Sequence, residues 1–143
     1  MSKWLLKTEP GDYSYDDLER EGRAVWDGVK NPVALKHIRA VKPGDQAFFY
    51  HTGKEKTIVG VARVETAAYP DPDAADERLV VFELSPVRRL AAPVSLAQVK
   101  AAGEFRDWEL VRLPRLSVMP VPGKTWTRVL AMSRERKGTA QSD

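Results

Sequence analysis

The sequence has 143 residues, of which 43% are hydrophobic and 30% charged, and its net charge is +3. This composition predicts one soluble globular domain over residues 1–135, followed by a disordered tail over residues 136–143. Cysteine is absent, which excludes disulfides, thiolate metal sites and a cysteine nucleophile and favours a cytoplasmic location. The first ten residues hold too short an apolar run for a signal peptide or a membrane span, so no membrane association is expected.

The first third of the chain combines a short apolar run with two signals for the start of a helix. Residues 4–7, WLLK, predict a strand that the turn EPGD ends. Ser14 stands three residues before Asp17, a variant of the capping box that predicts a short helix. Asn31 followed by Pro32 predicts a second helix, because asparagine caps helix starts well and proline is preorganised for the first helical position.

Three runs rich in β-branched and aromatic residues follow, and they predict strands over residues 46–51, 57–65 and 79–84. A short polar loop separates the first two runs, which indicates a hairpin. Gly60 lies within the second run and predicts either a β-bulge or a close approach by another group, because glycine weakens a strand interior.

The last third of the chain predicts a helix, a short strand and a final helix. Ser95 and Gln98 form a capping box that opens a helix to about Ala102. Residues 116–119 predict a strand, and the apolar face from Trp126 onward predicts the last helix. Helices and strands are therefore mixed without regular alternation, which is typical of an α+β fold with a curled, largely antiparallel sheet. Such a sheet commonly closes into a small barrel with a pocket at its rim.

Recognisable catalytic and metal-binding motifs are missing from the sequence. There is no G-x-S-x-G, no phosphate loop and no dinucleotide fingerprint. The two histidines lack zinc-binding spacing, and the acidic run DPDAAD lacks the glycine and the glutamate of a calcium loop. We therefore expect no catalytic residue, no metal and no cofactor.

The residues that remain suit recognition of a flat ligand. A nucleobase is bound by stacking on an aromatic face, by hydrogen bonds to its edge and by cations near its phosphates. The mildly basic charge permits such a partner without requiring one. Aromatic, amide, hydroxyl and cationic side chains near turns are the candidates, namely Lys7, Thr8, Trp26, Asn31, Tyr50 and His51.

Six motifs, in fixed order, resemble the EVE domain family over residues 3–130. They are WLLKTEP, WDGVKN, PGDQAFFYH, IVGVARV, AYPD and RLSVMPV. The resemblance implies a PUA-like fold, a small mixed β-barrel flanked by short helices, similar to the YTH domains that read methylated adenine in RNA. It also implies noncatalytic binding of a modified nucleobase in DNA or RNA, with a modified cytosine such as 5-methylcytosine as the expected ligand.

The resemblance also suggests roles for single residues. Trp26 would match a wall of the YTH aromatic cage and Asn31 a polar residue beside it, whereas Lys30 stands where the family often has arginine. From its position alone, Trp26 is either a core residue or a stacking platform, and Ser117 caps, packs or reaches the ligand. The expected ligand-binding residues are Trp26, Asn31, Lys7, Thr8, Lys30, Tyr50, His51 and Ser117.

Two other functions remain open from the sequence. One is an enzyme that acts on nucleotides or RNA through the same pocket, with Lys7, Asp27 or His51 as acid or base. The other is a protein-interaction module whose basic surface is incidental. The leading expectation is a monomer whose partner is a nucleic acid that contains a modified base.

Overall fold

The structure is a computed structural model that describes the backbone of residues 1–142 and the side chains of residues 1–135. The tail predicted over residues 136–143 lies outside the residues whose side chains are described. The described chain forms seven strands and five helices, which follow one another as β1 (Lys3–Thr8), α1 (Tyr15–Glu21), β2 (Ala24–Trp26), α2 (Pro32–Arg39), β3 (Gln46–His51), β4 (Thr57–Val64), β5 (Tyr69–Pro70), β6 (Val80–Ser95), α3 (Leu96–Ala102), α4 (Glu109–Arg112), β7 (Val118–Pro120) and α5 (Gly123–Ser142).

The strands form one mixed sheet in the order β2-β6-β4-β3-β1-β7, and β5 pairs with the start of β6. Strands β1 and β3 are parallel, whereas the other pairings are antiparallel. The sheet curls into a half-barrel with the helices around it. This architecture confirms the predicted α+β class and the small mixed barrel with short flanking helices.

The helix starts predicted from the sequence are present with their capping hydrogen bonds. The Ser14 hydroxyl accepts from the Asp17 amide at 3.1 Å, and the Asp17 carboxylate accepts from the Ser14 amide at 2.9 Å. The Asn31 side-chain oxygen accepts from the amides of Val33 and Ala34 at 2.9 and 3.1 Å. Short polar side chains therefore determine where α1 and α2 begin, because each satisfies amides that the first turn leaves unpaired.

Gly60 shows both of the features predicted for it. The pairing of β4 with β3 and with β6 shifts register beside it. A Cβ at Gly60 would lie 2.7 Å from two ring carbons of Tyr15. The fully buried Tyr15 donates its hydroxyl to the Val61 carbonyl at 2.8 Å and packs edge-on against Phe49. Only glycine leaves room for this ring against the strand, so Tyr15 holds α1 directly against the sheet.

Strand β6 is longer than predicted, and β2, β5 and α4 are not predicted at all. The sequence pattern indicates a strand over residues 79–84, whereas β6 continues to Ser95 through Pro86 and Pro93. Register shifts in its pairing with β4 accommodate the extension, because proline is tolerated in a sheet only at edges or irregularities. Strand β2 has three residues and depends on β6 for its pairing, which explains why its own sequence carries little strand signal.

All four tryptophans are buried in the core, and three of them lie away from the turn that follows β2. Trp4 donates its indole N–H to the buried Asp45 carboxylate at 2.9 Å. Trp108 donates to the Pro120 carbonyl at 3.2 Å, and Trp126 stacks on Phe48 with ring centroids 3.9 Å apart.

Within the part of the chain that the structure describes, no helix is long and apolar enough to cross a membrane.

Candidate functional site

A cavity of about 660 Å³ opens at the C-terminal end of β1, beside β2 and the turn that leads into α2. This volume lies within the range of about 300–1,000 Å³ that is usual for small-molecule sites. The structure brings six of the eight predicted ligand-binding residues to its walls, namely Lys7, Thr8, Trp26, Lys30, Asn31 and Ser117.

Trp26 is at once a core residue and a wall of the cavity. Its ring packs edge-on against Phe49 with centroids 5.6 Å apart, and only 8% of its surface is exposed. Its indole N–H makes no hydrogen bond to a described residue. Among those residues, no buried side-chain nitrogen or oxygen lacks a partner, so this N–H must be accessible to solvent. Trp26 therefore offers a fixed aromatic wall and a free hydrogen-bond donor.

The turn after Trp26 supplies the polar groups of the opposite wall. Gly28 adopts a φ of +76°, the left-handed conformation that glycine tolerates best. The Asn31 side-chain oxygen is occupied by the helix cap, so its amide nitrogen remains available to donate. Neither the exposed Asp27 carboxylate nor the exposed Lys30 ammonium pairs with another described residue. The turn thus presents an acceptor, a donor and a cation within five residues.

Strand β1 contributes side chains that are held in place by the backbone around them. Lys7 donates its ammonium group to the Pro114 carbonyl at 2.9 Å and lies 5.6 Å from the centre of the Tyr50 ring. Burial lowers the pKa of Lys7. Thr8 donates its hydroxyl to the Tyr13 carbonyl at 2.9 Å. The Ser117 carbonyl accepts from the Lys7 amide at 2.9 Å, and the Ser117 hydroxyl makes no hydrogen bond to a described residue.

Tyr50 and His51 are not brought to the cavity. Tyr50 is 3% exposed and lies beneath Lys7. His51 is 7% exposed, and both of its ring nitrogens are engaged within the protein. Its Nε2 accepts from the Tyr15 amide at 3.0 Å, and its Nδ1 lies 2.9 Å from the Glu55 carboxylate. His51 therefore positions the start of α1, and neither of its ring nitrogens is free to contact a ligand.

Six further residues, which the sequence does not mark as ligand-binding, also line the cavity. They are Asp12, Tyr13, Val25, Asp27, Gly28 and Val29. Asp27 and Gly28 belong to the WDGVKN motif, so the motif itself was a signal for them. Asp12 and Tyr13 come from the loop after β1 and carry no pattern that marks them. Burial raises the pKa of Tyr13, and a hydrogen bond of 2.5 Å to Glu21 raises it further.

The cavity combines charged, polar and aromatic side chains. Its walls carry two lysines and two aspartates around an aromatic ring, which suits a flat ligand with both donors and acceptors on its edge. The structure places no group of three or more His, Cys, Asp or Glu side chains, among the residues it describes, where they could hold a metal ion.

The fold and sequence are similar to those of several known proteins. The protein Rpa0253 from Rhodopseudomonas palustris is 38% identical, with a TM-score of 0.88 and 93% of each chain covered. Human THYN1, solved in complex with 5-methylcytosine-containing DNA, is 27% identical, with a TM-score of 0.85, 93% of this chain and 98% of that chain covered. Thymocyte nuclear protein 1 of Gallus gallus is 29% identical over 93% of this chain and 69% of its own length. The EVE domain model matches residues 2–132.

Proposed function

Because this chain belongs to the EVE domain family, we propose that it binds a modified nucleobase of a nucleic acid, without catalysis, in the cavity beside Trp26. One observation carries the proposal: a buried indole with a free N–H faces a turn with an unpaired carboxylate and a free amide in one cavity. The complex of human THYN1 with 5-methylcytosine-containing DNA supports a nucleic acid as the partner.

The polar groups of the cavity complement cytosine better than thymine or uracil. Cytosine presents an exocyclic amine as a donor beside two acceptors on its Watson–Crick edge, and aspartate is a suitable acceptor for that amine. Asp27 would take this role, while the free donors of Trp26 and Asn31 suit the ring nitrogen and the carbonyl oxygen. A base reaches such a cavity from a single strand or after it flips out of a duplex.

The apolar part of the cavity accounts for a preference for a methylated base. Val25 is 48% exposed, and it lines the cavity together with the half-buried Val29. Burial of one methyl group contributes about 0.8 kcal/mol, which corresponds to about a fourfold gain in affinity. We therefore expect 5-methylcytosine to bind more tightly than cytosine by about this factor. Hydrogen bonds to the base edge should discriminate more strongly between cytosine and thymine or uracil.

Asp27→Ala should reduce the preference for 5-methylcytosine over thymine. The two bases share the methyl group and differ at the exocyclic amine, which thymine replaces with a carbonyl oxygen, and at ring nitrogen N3, which carries a hydrogen in thymine. Asp27 would contact the first of these positions. A good pairing of this kind contributes about 1–3 kcal/mol of discrimination, so we expect a loss of about tenfold or more in the affinity ratio. Fluorescence anisotropy with oligonucleotides that differ only at this base measures the ratio.

The matched control is Asp107→Ala, because the Asp107 carboxylate is also exposed and pairs with no described residue but lies outside the cavity. It should leave the ratio unchanged. Equal affinity of the parent protein for 5-methylcytosine and thymine would contradict the assignment of Asp27. Matched DNA and RNA oligonucleotides in the same assay identify which nucleic acid is preferred.

Noncatalytic binding has its own test. Prolonged incubation with oligonucleotides that contain 5-methylcytosine or 5-hydroxymethylcytosine should leave the bases unchanged when the digested nucleosides are separated and quantified. Formation of a new nucleoside, and its loss in Asp27→Ala or Lys7→Ala, would instead favour an enzyme that acts through this cavity.

A further inference from the structure

A second groove begins where the cavity beside Trp26 ends, because Lys30 lines both. This groove measures about 480 Å³. Its floor is apolar and comes from α2 and the segment before β6. Its walls carry three cations and one carboxylate, namely Lys30, Arg39, Arg78 and Asp76. We refer to these four side chains and the floor between them as the basic groove.

The cations of the basic groove differ in how far they are neutralised. Lys30 and Arg39 pair with no carboxylate among the described residues. Arg39 donates to the Arg78 carbonyl at 2.7 Å, which ties α2 to the loop before β6. Arg78 is 83% exposed and donates to both carboxylate oxygens of Asp76, at 3.0 and 2.9 Å. These bonds lower the pKa of Asp76 to about 2, so Asp76 stays ionised and offsets the charge of Arg78.

Another groove next to the cavity has a different character. Asn31 also lines this smaller groove of about 360 Å³, whose lining includes Val33, Leu113 and Leu116 and has Arg115 as its only charged residue. Val33 and Leu113 are exposed. The cavity therefore has a cationic flank and an apolar flank, and an anionic chain that leaves it gains more on the cationic side.

We propose that the basic groove binds the phosphodiester backbone of the strand whose base occupies the cavity. The inference rests on the proposed function, since it names the surface that holds the rest of the same ligand. Phosphate contacts from lysine and arginine fix the position of a strand without reading its sequence, and arginine offers two parallel donors to a phosphate. Because Lys30 lines both the cavity and the basic groove, it lies between the proposed base site and the proposed phosphate site.

The test measures the salt dependence of binding in two variants with opposite expected effects. Each phosphate contact on a single strand contributes about 0.7 to the slope of log affinity against log salt. Arg39→Gln should make this slope shallower by about 0.7, because it removes a cation that no described carboxylate neutralises. Asp76→Asn should make it steeper by a similar amount and strengthen binding, because it releases Arg78 from its partner. The probe is a single-stranded oligodeoxynucleotide with one 5-methylcytosine, titrated from about 50 to about 200 mM salt.

Arg106→Gln is the control, since Arg106 is exposed and unpaired among the described residues and lies outside the basic groove. It should leave the slope unchanged. In Arg39→Gln, the ratio of affinities for 5-methylcytosine and cytosine should equal that of the parent, because a phosphate contact carries no base information. Thermal melting confirms that each variant is folded.

The two proposals fail in different ways. Slopes that stay at the parental value in both Arg39→Gln and Asp76→Asn overturn the basic groove, whatever the base preference. A parent protein that binds all bases equally overturns the proposed base site, and a slope that still becomes shallower in Arg39→Gln then supports the groove as a phosphate site independent of base recognition.

Discussion

Trp26→Ala should lower the free energy of unfolding by about 3–5 kcal/mol and weaken binding of the base by about tenfold or more, because stacking contributes about 1–3 kcal/mol per base. The side chain is 8% exposed and its ring meets Phe49 edge-on, so its removal leaves a cavity in the core. A stacking platform at the protein surface would contribute little to stability. Trp26 is buried and also lines the cavity, so it is both a core residue and a wall of the proposed base site. A loss of this size is a large part of the total stability of a domain, which is about 5–15 kcal/mol.

Trp26→Phe separates the two roles of this residue. Phenylalanine keeps an aromatic ring against Phe49 but removes the free indole N–H and narrows the wall of the cavity. We expect a smaller loss of stability than in Trp26→Ala, and a loss of affinity of up to about tenfold, since one hydrogen bond contributes about 0.5–1.5 kcal/mol. Urea unfolding measures the first quantity, and anisotropy with a 5-methylcytosine oligonucleotide measures the second.

Trp108→Phe is the matched control for this pair of measurements. Trp108 is also buried, but its N–H is bonded to the Pro120 carbonyl and the residue lies outside the cavity. The control should therefore lose stability and keep its affinity for the base. A folded Trp26→Phe protein that binds as tightly as the parent would show that the indole N–H makes no contact with the ligand.

Gly60→Ala should destabilise the fold by about 1–3 kcal/mol, because it forces extra volume into a packed core. The new methyl group would meet the Tyr15 ring at 2.7 Å. That ring cannot easily move away, since its hydroxyl is bonded to the Val61 carbonyl and its face lies under the Arg89 guanidinium, 5.2 Å from the ring centre. Because Tyr15 packs on Phe49 and Phe49 on Trp26, we also expect weaker binding of the base.

Gly123→Ala provides the comparison for Gly60→Ala. A Cβ at Gly123 meets no heavy atom within 4 Å, and the residue opens α5 with no left-handed φ to preserve. Alanine there should be neutral or slightly stabilising. A Gly60→Ala protein with the same denaturation midpoint as the parent would show that α1 can shift away from β4 at little cost.

The sequence predicts those parts of the fold that local chemistry determines. Ser14 and Asn31 mark the starts of α1 and α2 because their side chains bond amides two or three residues further along the chain. The strand of residues 46–51 is predicted with its observed bounds. By contrast, β2 depends on pairing with a part of β6 about 60 residues away. The extension of β6 depends on pairing with β4, between about 20 and 40 residues away. No local pattern encodes either pairing.

The same distinction applies to the candidate site. The WDGVKN motif identifies the turn that carries Trp26 and Asn31, and the cavity forms there. The sequence does not show that the end of β3 faces inward, which depends on how Tyr15 and Glu55 meet His51 in three dimensions. The monomeric state and the cytoplasmic location stay predictions, and the names of the vertebrate relatives refer to the nucleus.

The central claim, that a modified cytosine occupies the cavity beside Trp26, is tested most directly by nuclear magnetic resonance of the indole N–H groups during titration with 5-methyl-2′-deoxycytidine. The N–H groups of Trp4 and Trp108 are bonded inside the protein, whereas that of Trp26 is free. The Trp26 resonance, assigned by its absence in Trp26→Phe, should shift with ligand concentration while those of Trp4 and Trp108 stay in place. Saturable binding that leaves the Trp26 resonance unmoved would contradict the claim.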